Sequence, residues 1–449
     1  VADRLAATLA AIAFVTIFAF GRFVRLGNYN WLCPYSYELT HGVMLAILGL
    51  WFLDRYHRTK KPGWLTAMGA SVGLLALTKT ETLLAGGIAA AVGLALTFAA
   101  ERPSVRRLVG LVSAFLAGVI VPLAATFAYF ASRMPLSDVL RWPFGYWRAA
   151  SRPEFAALPM YREGIGIDDV AGNVRKLAEA TGGYALVLAA GVAAAVLLRG
   201  AKRRAGLAVI SVAGFVAAWT LVPRPAWLNA GRPLPLLLLL VSFGSIVAYL
   251  RARRDPDAAL RYALQSALAV FALALLAKMI LNARLYHYGF ALAMPATVVL
   301  IAALLTWAPA LATRAGVNGR AFRAFVAGVL VAGLVAHLGL MQRLIARQTQ
   351  VIGEAGDAFS GDDRVAPLSQ LLDEVKRRVA PTQTFAALPE GEQLPDVNQD
   401  VMVAVEKEQV AQLEKYLDKL EGYTKGTVVL ATVFGDVHDI GKSLVNTIL

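Results

Sequence analysis

Two groups of residues in this chain have types and spacings suited to chemistry. The first is scattered over short connections between apolar runs: Tyr35, Glu38 and His41; Lys79 and Glu81; Arg224 and Arg232; Arg284 and His287. Carboxylates, cations and aromatics fall there together, and the guanidinium fork of an arginine is well matched to a phosphate. Ionisable groups at membrane depth are costly, so they pair or serve a pathway. Plainer readings stand beside this one. Lys79 and Glu81 could neutralise each other, and the three arginines could anchor helix ends by reaching to headgroups. The second group is Asp436-Val437-His438-Asp439-Ile440-Gly441, directly after the apolar run from Thr427 to Val433. Taken alone, Asp and His in a strand-to-helix loop can simply cap the helix.

The elements that must position the first group are membrane helices. Apolar residues make up 58% of the 449, charged residues only 16%, and the mean hydropathy is +0.58. An ordinary soluble domain is nearer half apolar and a quarter charged. A spanning helix needs roughly 20 mostly apolar residues, because lipid offers no partners to backbone polar groups. Candidate spans run about 5–25, 41–54, 64–78, 82–100, 107–131, 183–198, 205–222, 233–250, 259–281, 288–308 and 321–341. The second and third are short. The expected fold class is an all-α polytopic membrane protein with about 10–11 transmembrane helices, followed by a truncated α/β, Rossmann-like piece. The expected domains are 1–341 in the membrane, a soluble segment and junction over 342–400, and 401–449.

The net charge of +14 does not point to nucleic acid. Lys and Arg sit in short clusters between apolar runs: Arg55 to Lys61, Arg102 to Arg107, Arg199 to Arg204, Arg251 to Arg261 and Arg314 to Arg323. Such clusters are topology signals, and placing them all in the cytoplasm satisfies the positive-inside rule at every turn. The chemically suggestive connections then fall on the outer face, as does the long one from Ser132 to Gly182. That loop carries Trp142-Pro143-Phe144-Gly145-Tyr146-Trp147-Arg148, an interfacial belt or a substrate platform. With an odd number of spans the segment after Met341 also lies outside. A bacterial inner (plasma) membrane is the expected location. Cys33 is the single cysteine, so no internal disulfide and no cysteine-based metal site is expected.

Three stretches carry a resemblance: Pro34-Tyr35-Ser36-Tyr37-Glu38-Leu39-Thr40-His41-Gly42, the run from Gly73 to Glu81, and Tyr286-His287-Tyr288-Gly289-Phe290-Ala291-Leu292-Ala293-Met294-Pro295. They resemble bacterial membrane glycosyltransferases of the GT-C type, related to protein O-mannosyltransferases and aminoarabinose transferases. The likeness extends over about residues 1–391, including Leu388-Pro389-Glu390-Gly391. It implies a polyprenyl-phosphate sugar as donor, an acceptor that the residues do not identify, and transfer on the non-cytoplasmic face. It also implies an acidic general base in the first outer loop, often helped by a divalent metal. That loop is expected upstream of Val1, so Glu38 is the nearest visible carboxylate for the role. A carboxylate would take the acceptor proton while Arg or Lys stabilises the departing phosphate. A transporter or lipid flippase is the alternative class, but the internal repeat expected of one is not evident.

After about Glu392 the composition changes. Val405, Leu413, Leu417 and Leu420 are spaced for an amphipathic helix, and Thr427 to Val433 reads as a buried strand. Asp-x-His-x-x-Gly after a strand resembles the corrinoid-binding motif of cobalamin-dependent methionine synthase. The resemblance implies that His438 replaces the lower base on cobalt, that Asp436 holds its other ring nitrogen, and that Gly441 permits close approach. A cobalamin-dependent methyltransferase is thus a further alternative function. The piece contains one strand and part of one helix, so tight cobalamin binding is not expected. Corrinoid methyl transfer is also cytoplasmic chemistry, at odds with an external tail. The expected explanation is a joining of two unrelated coding fragments near residues 391–401.

Overall fold

The computed structural model describes residues 3–22, 29–34, 36–140, 159–197, 204–221, 229–352 and 359–362. Where the sequence is apolar over long runs, the backbone has satisfied itself in helices. We number them α1 (Arg4–Ala13, continued by a π-helical turn Phe14–Ala19), α2 (Tyr37–Thr59), α3 (Gly63–Leu75), α4 (Thr80–Glu101), α5 (Val105–Ala131), α6 (Pro159–Ile165), α7 (Val170–Leu197), α8 (Arg204–Leu221), α9 (Leu234–Arg251), α10 (Pro256–Leu276), α11 (Gly289–Leu292), α12 (Met294–Ala302), α13 (Ala308–Arg314) and α14 (Gly319–Ile345). Among the described residues, seven helical stretches are long and apolar enough to cross a membrane. They are Thr80–Glu101, Val105–Ala131, Tyr161–Leu197, Leu234–Arg251, Pro256–Met279, Gly289–Arg314 and Gly319–Ile345, and Arg4–Ala19, Gly63–Leu75 and Ala205–Thr220 are shorter apolar helices. The chain reads as a multi-pass membrane protein.

Burial sorts these helices into centre and rim. The apolar windows of Gly289–Arg314 and Pro256–Met279 are 78% and 61% buried, whereas those of Val105–Ala131 and Tyr161–Leu197 are each 11% buried. The rim exposes Leu186, Val209, Leu239, Leu240 and Phe243, an apolar surface that only lipid could cover at this extent. Close helix approach depends on small residues, as expected where lipid competes with side chains for apolar contact. At Gly69, Gly73 and Gly118 an added Cβ would collide with the facing backbone between α3 and α5. Helix ends follow local rules. Asp3 and Asp255 cap α1 and α10 by accepting from the amides of Ala6 and Ala258, each at 3.1 Å, the second with Pro256 in the first turn.

Several boundaries differ from the sequence reading for physical reasons. The second run, short by hydropathy, is a 23-residue helix, α2, that continues through polar residues at both ends, where Arg58 donates to Asp54 one turn back at 2.7 Å. The first stops at Ala19, six residues early. The run 288–308 is interrupted at Ala293 and by a π-turn over Ala303–Trp307, and reaches Arg314. The long connection from Ser132 to Gly182 contains α6 and the start of α7, whose Arg175 and Glu179 lower its hydropathy while facing each other one turn apart at 3.8 Å.

The chain divides into two compact units, Val1–Phe23 with Tyr29–Gly339, and Val24–Asn28 with Leu340–Leu449. In the second, a two-stranded antiparallel ladder pairs Gln350–Ile352 with Phe359–Gly361, Val351 opposite Ser360. Residues 363–449, including the stretch read as α/β, lie outside the described residues.

Candidate functional site

The connections that carry the candidate residues meet at one end of the helices. The segment between α10 and α11, residues 277–288, is the hub. Arg232, just before α9, donates to the carbonyl of Leu281 at 3.2 Å and to Asn173 Oδ1 at 2.8 Å. Asn282 donates to the carbonyl of Glu163 at 2.7 Å, and the Leu281 amide to the carbonyl of Ile165 at 3.1 Å. Trp31, in the first connection, donates from its indole to the carbonyl of Phe290 at 2.9 Å. The hub's own turn is tight. His287 takes a left-handed φ of +56°, uncommon outside glycine, and Gly289 lies so close to the carbonyl of Arg284 that no Cβ would fit.

Charges are arranged in pairs around this hub. Lys278 Nζ lies 2.8 Å from Glu81 Oε1, with its ammonium 5.0 Å from the ring centre of Tyr288. Glu81 interacts with Lys79 as the plainer reading has it, but its hydrogen-bonded partner is Lys278. Lys79 lies within electrostatic range of Glu81, Lys278 and Glu38, and burial pulls its pKa below the ordinary lysine value. Glu38 accepts from Ser36 Oγ at 2.6 Å. Its turn of α2 is packed beside the 78–82 segment because Gly42 sits against the hydroxyls of Thr78 and Thr82. Arg284 lies 3.6 Å from Glu163 and 5.7 Å from the ring centre of Tyr286. Burial also lowers the pKa of Arg232, opposed by Tyr286 and reinforced by Arg284.

Between α6 and the hub a cleft opens, lined by Tyr161, Ile165, Lys278, Arg284, Tyr288 and Leu292. Its walls are apolar and aromatic apart from two cations. Each of the two cations is already paired with a carboxylate, Lys278 with Glu81 and Arg284 with Glu163.

The histidines behave differently from one another. His287 touches Tyr288 and Tyr29, ring centres at 4.6 and 5.4 Å, and burial, with Arg284 nearby, pushes its pKa down to about 4. It is neutral at pH 7. Its folded value lies below the ordinary 6.5, so the unfolded chain takes up a proton first as pH falls. Stability attributable to His287 is therefore full above about pH 6.5 and lost between there and about pH 4. We expect His287→Asn to flatten the fall in melting temperature over that range, and an unchanged slope would refute the assignment. His41 stacks on Tyr37 at 6.3 Å, within α2.

The structure thus gathers Glu38, Lys79, Glu81, Arg232, Arg284 and His287 around one end of the helices. Tyr35, Arg224, the Trp142 to Arg148 stretch, and Asp436, His438 and Gly441 lie outside the described residues. Sequence reasoning passed over Lys278 and Glu163. Lys278 had a signal, as the sole charged residue in the apolar run 262–283. Glu163 had none, since its partner is 121 positions away. Among the described residues, no three His, Cys, Asp or Glu side chains are grouped closely enough to hold a metal ion.

Comparisons with known proteins bear on a small part of the chain. A stretch of 62 residues is 52% identical to methionine synthase of Mycobacterium leprae (strain TN), covering 13% of this chain and 5% of that protein. A stretch of 58 residues is 52% identical to methionine synthase of Mycobacterium tuberculosis (strain ATCC 25618 / H37Rv), with the same shares. The chain therefore spans about one-twentieth of the length of the curated relatives it matches. No family model matches, and no solved structure matches.

Proposed function

We propose that the membrane body is a glycosyltransferase that takes a sugar from a polyprenyl-phosphate donor on the non-cytoplasmic face of the membrane. The observation that carries this reading is the cleft in which Lys278 and Arg284 are the charged residues and the others, Tyr161, Ile165, Tyr288 and Leu292 among them, are aromatic, apolar or glycine. An anionic diester on an isoprenoid tail has the complementary form. In this reading Arg284 and Lys278 stabilise charge on the departing phosphate, and Glu38 removes the acceptor's proton. Arg232, Lys79, Glu81 and His287 shape the cleft, with Tyr35, His41 and Arg224 as further substrate contacts. The test is release of polyprenyl phosphate by the purified chain in nanodiscs supplied with labelled polyprenyl-phosphate sugars. Release that is lost in Arg284→Ala supports the reading. Movement of intact donor between leaflets of a vesicle, with no cleavage, would instead make the protein a flippase.

A second reading concerns the tail. We infer that the stretch similar to methionine synthases is the one containing Asp436, His438 and Gly441, since those residues match the corrinoid motif. If so, cobalamin would bring its cobalt, with His438 as ligand and Asp436 behind it. Retention of a cobalamin absorbance band by the purified chain through gel filtration tests this. A band that persists in His438→Ala would show that the motif is not what binds.

A further inference from the structure

At the far end of α2 from Glu38 lies a cluster that glycosyl transfer does not use. Trp51, Phe52 and Arg55 of α2 meet Trp64 in the first turn of α3. The rings of Trp51 and Trp64 are edge-on at 5.9 Å, and Phe52 stacks on Trp64 at 5.8 Å. The Arg55 guanidinium carbon lies 5.9 Å from the ring centre of Trp51 and 5.4 Å from that of Trp64. Its Nε is buried and makes no hydrogen bond. The neighbouring carboxylates are committed elsewhere: Asp54 to Arg58 at 2.7 Å, and Glu101 to Lys60 at 2.5 Å and to Tyr56 at 2.8 Å. Among the described residues Arg55 makes no ion pair.

A cation beside two indoles and without a counter-ion is a built receptor for an anion. Guanidinium can keep edge N–H groups available while it lies against an aromatic ring, and with the two indoles at 79° to each other it can lie flat on one of them only. Two features identify the anion's carrier. Indoles settle at the headgroup level of a bilayer. Below them, Met44, Leu48 and Trp51 form a stripe with Arg55 at helical spacing, 53%, 39% and 49% exposed, so an acyl chain attached to the anion has a path along α2. Exposed Lys61 and Arg102 add positive field at the same end. We infer that Arg55, Trp51 and Trp64 bind the phosphate of an anionic phospholipid headgroup, with one acyl chain lying on Leu48 and Met44.

The test is native mass spectrometry of the full chain released from micelles containing phosphatidylglycerol or phosphatidylcholine, with tryptophan fluorescence giving affinities. Phosphatidylglycerol is expected to bind the parent in preference to phosphatidylcholine, and about fivefold more weakly to Arg55→Gln. Arg106→Gln, which removes an exposed cation that is not a cation–π partner of these indoles, should leave that affinity near the parent's. Arg55→Lys keeps the charge and the fold, confirmed by its melting temperature, but loses the fork and should bind more weakly than the parent. The proposal is overturned if Arg55→Lys binds like the parent, if Arg106→Gln weakens binding as much as Arg55→Gln, or if millimolar inorganic phosphate displaces the lipid.

Discussion

Replacing Lys278 with methionine is expected to lower stability by about 3 kcal/mol, because Glu81 is then left as a partly buried carboxylate without its cation. Lys278 and Glu81 are 32% and 20% exposed, so water relieves some of the penalty but not most of it. The double variant Lys278→Met with Glu81→Gln removes both charges and should regain most of the lost melting temperature. Transfer should stay abolished in both, since the cleft has lost one of its two cations. Thermal unfolding in detergent measures the first effect and polyprenyl phosphate release the second. A single variant as stable as the parent would show that the pair is not coupled. A double variant with full activity would remove Lys278 from the reaction.

The other large effect is expected at Glu38. Loss of a general base costs about 10²- to 10⁴-fold in rate, so Glu38→Gln should cut polyprenyl phosphate release by that factor while leaving the melting temperature nearly unchanged. The near-isosteric amide can still accept from Ser36 Oγ, which now sits 2.6 Å from the carboxylate, so the turn at the head of α2 is preserved. Ser36→Ala should cost far less, because it alters only the orientation of the carboxylate. Full activity in Glu38→Gln would take the base role away from Glu38.

The helices were legible because hydropathy is a direct record of the solvent around a segment. Among the described residues every candidate span has a helix at its centre, and the rim helices expose leucines and valines as bilayer contact requires. What was not legible depended on long-range pairing or backbone detail. Lys278 meets Glu81 across 197 positions, and Glu163 meets Arg284 across 121. The first half of α7 was missed because Arg175, Lys176 and Glu179 lower its hydropathy, although a helix can carry charges once it leaves the membrane. The break at Ala293 and the left-handed turn at His287 follow from how the 277–289 segment packs. Of the candidate residues, Glu38, Lys79, Glu81, Arg232, Arg284 and His287 lie near the same end of the helices, but their pairings were not legible. The tail was legible as a motif, and its residues lie outside the described ones.

The most direct test of lipid-phosphate recognition uses a polyprenyl phosphate bearing a photoreactive group near the phosphate, irradiated with the full chain in nanodiscs. Peptide mapping should place the label on Tyr161 to Ile165 and on Lys278 to Leu292, with labelling suppressed by unlabelled polyprenyl phosphate and lost in Arg284→Ala. Labelling confined to the lipid-exposed faces of α5 or α9, unaffected by competitor or by Arg284→Ala, would contradict a phosphate site in this cleft.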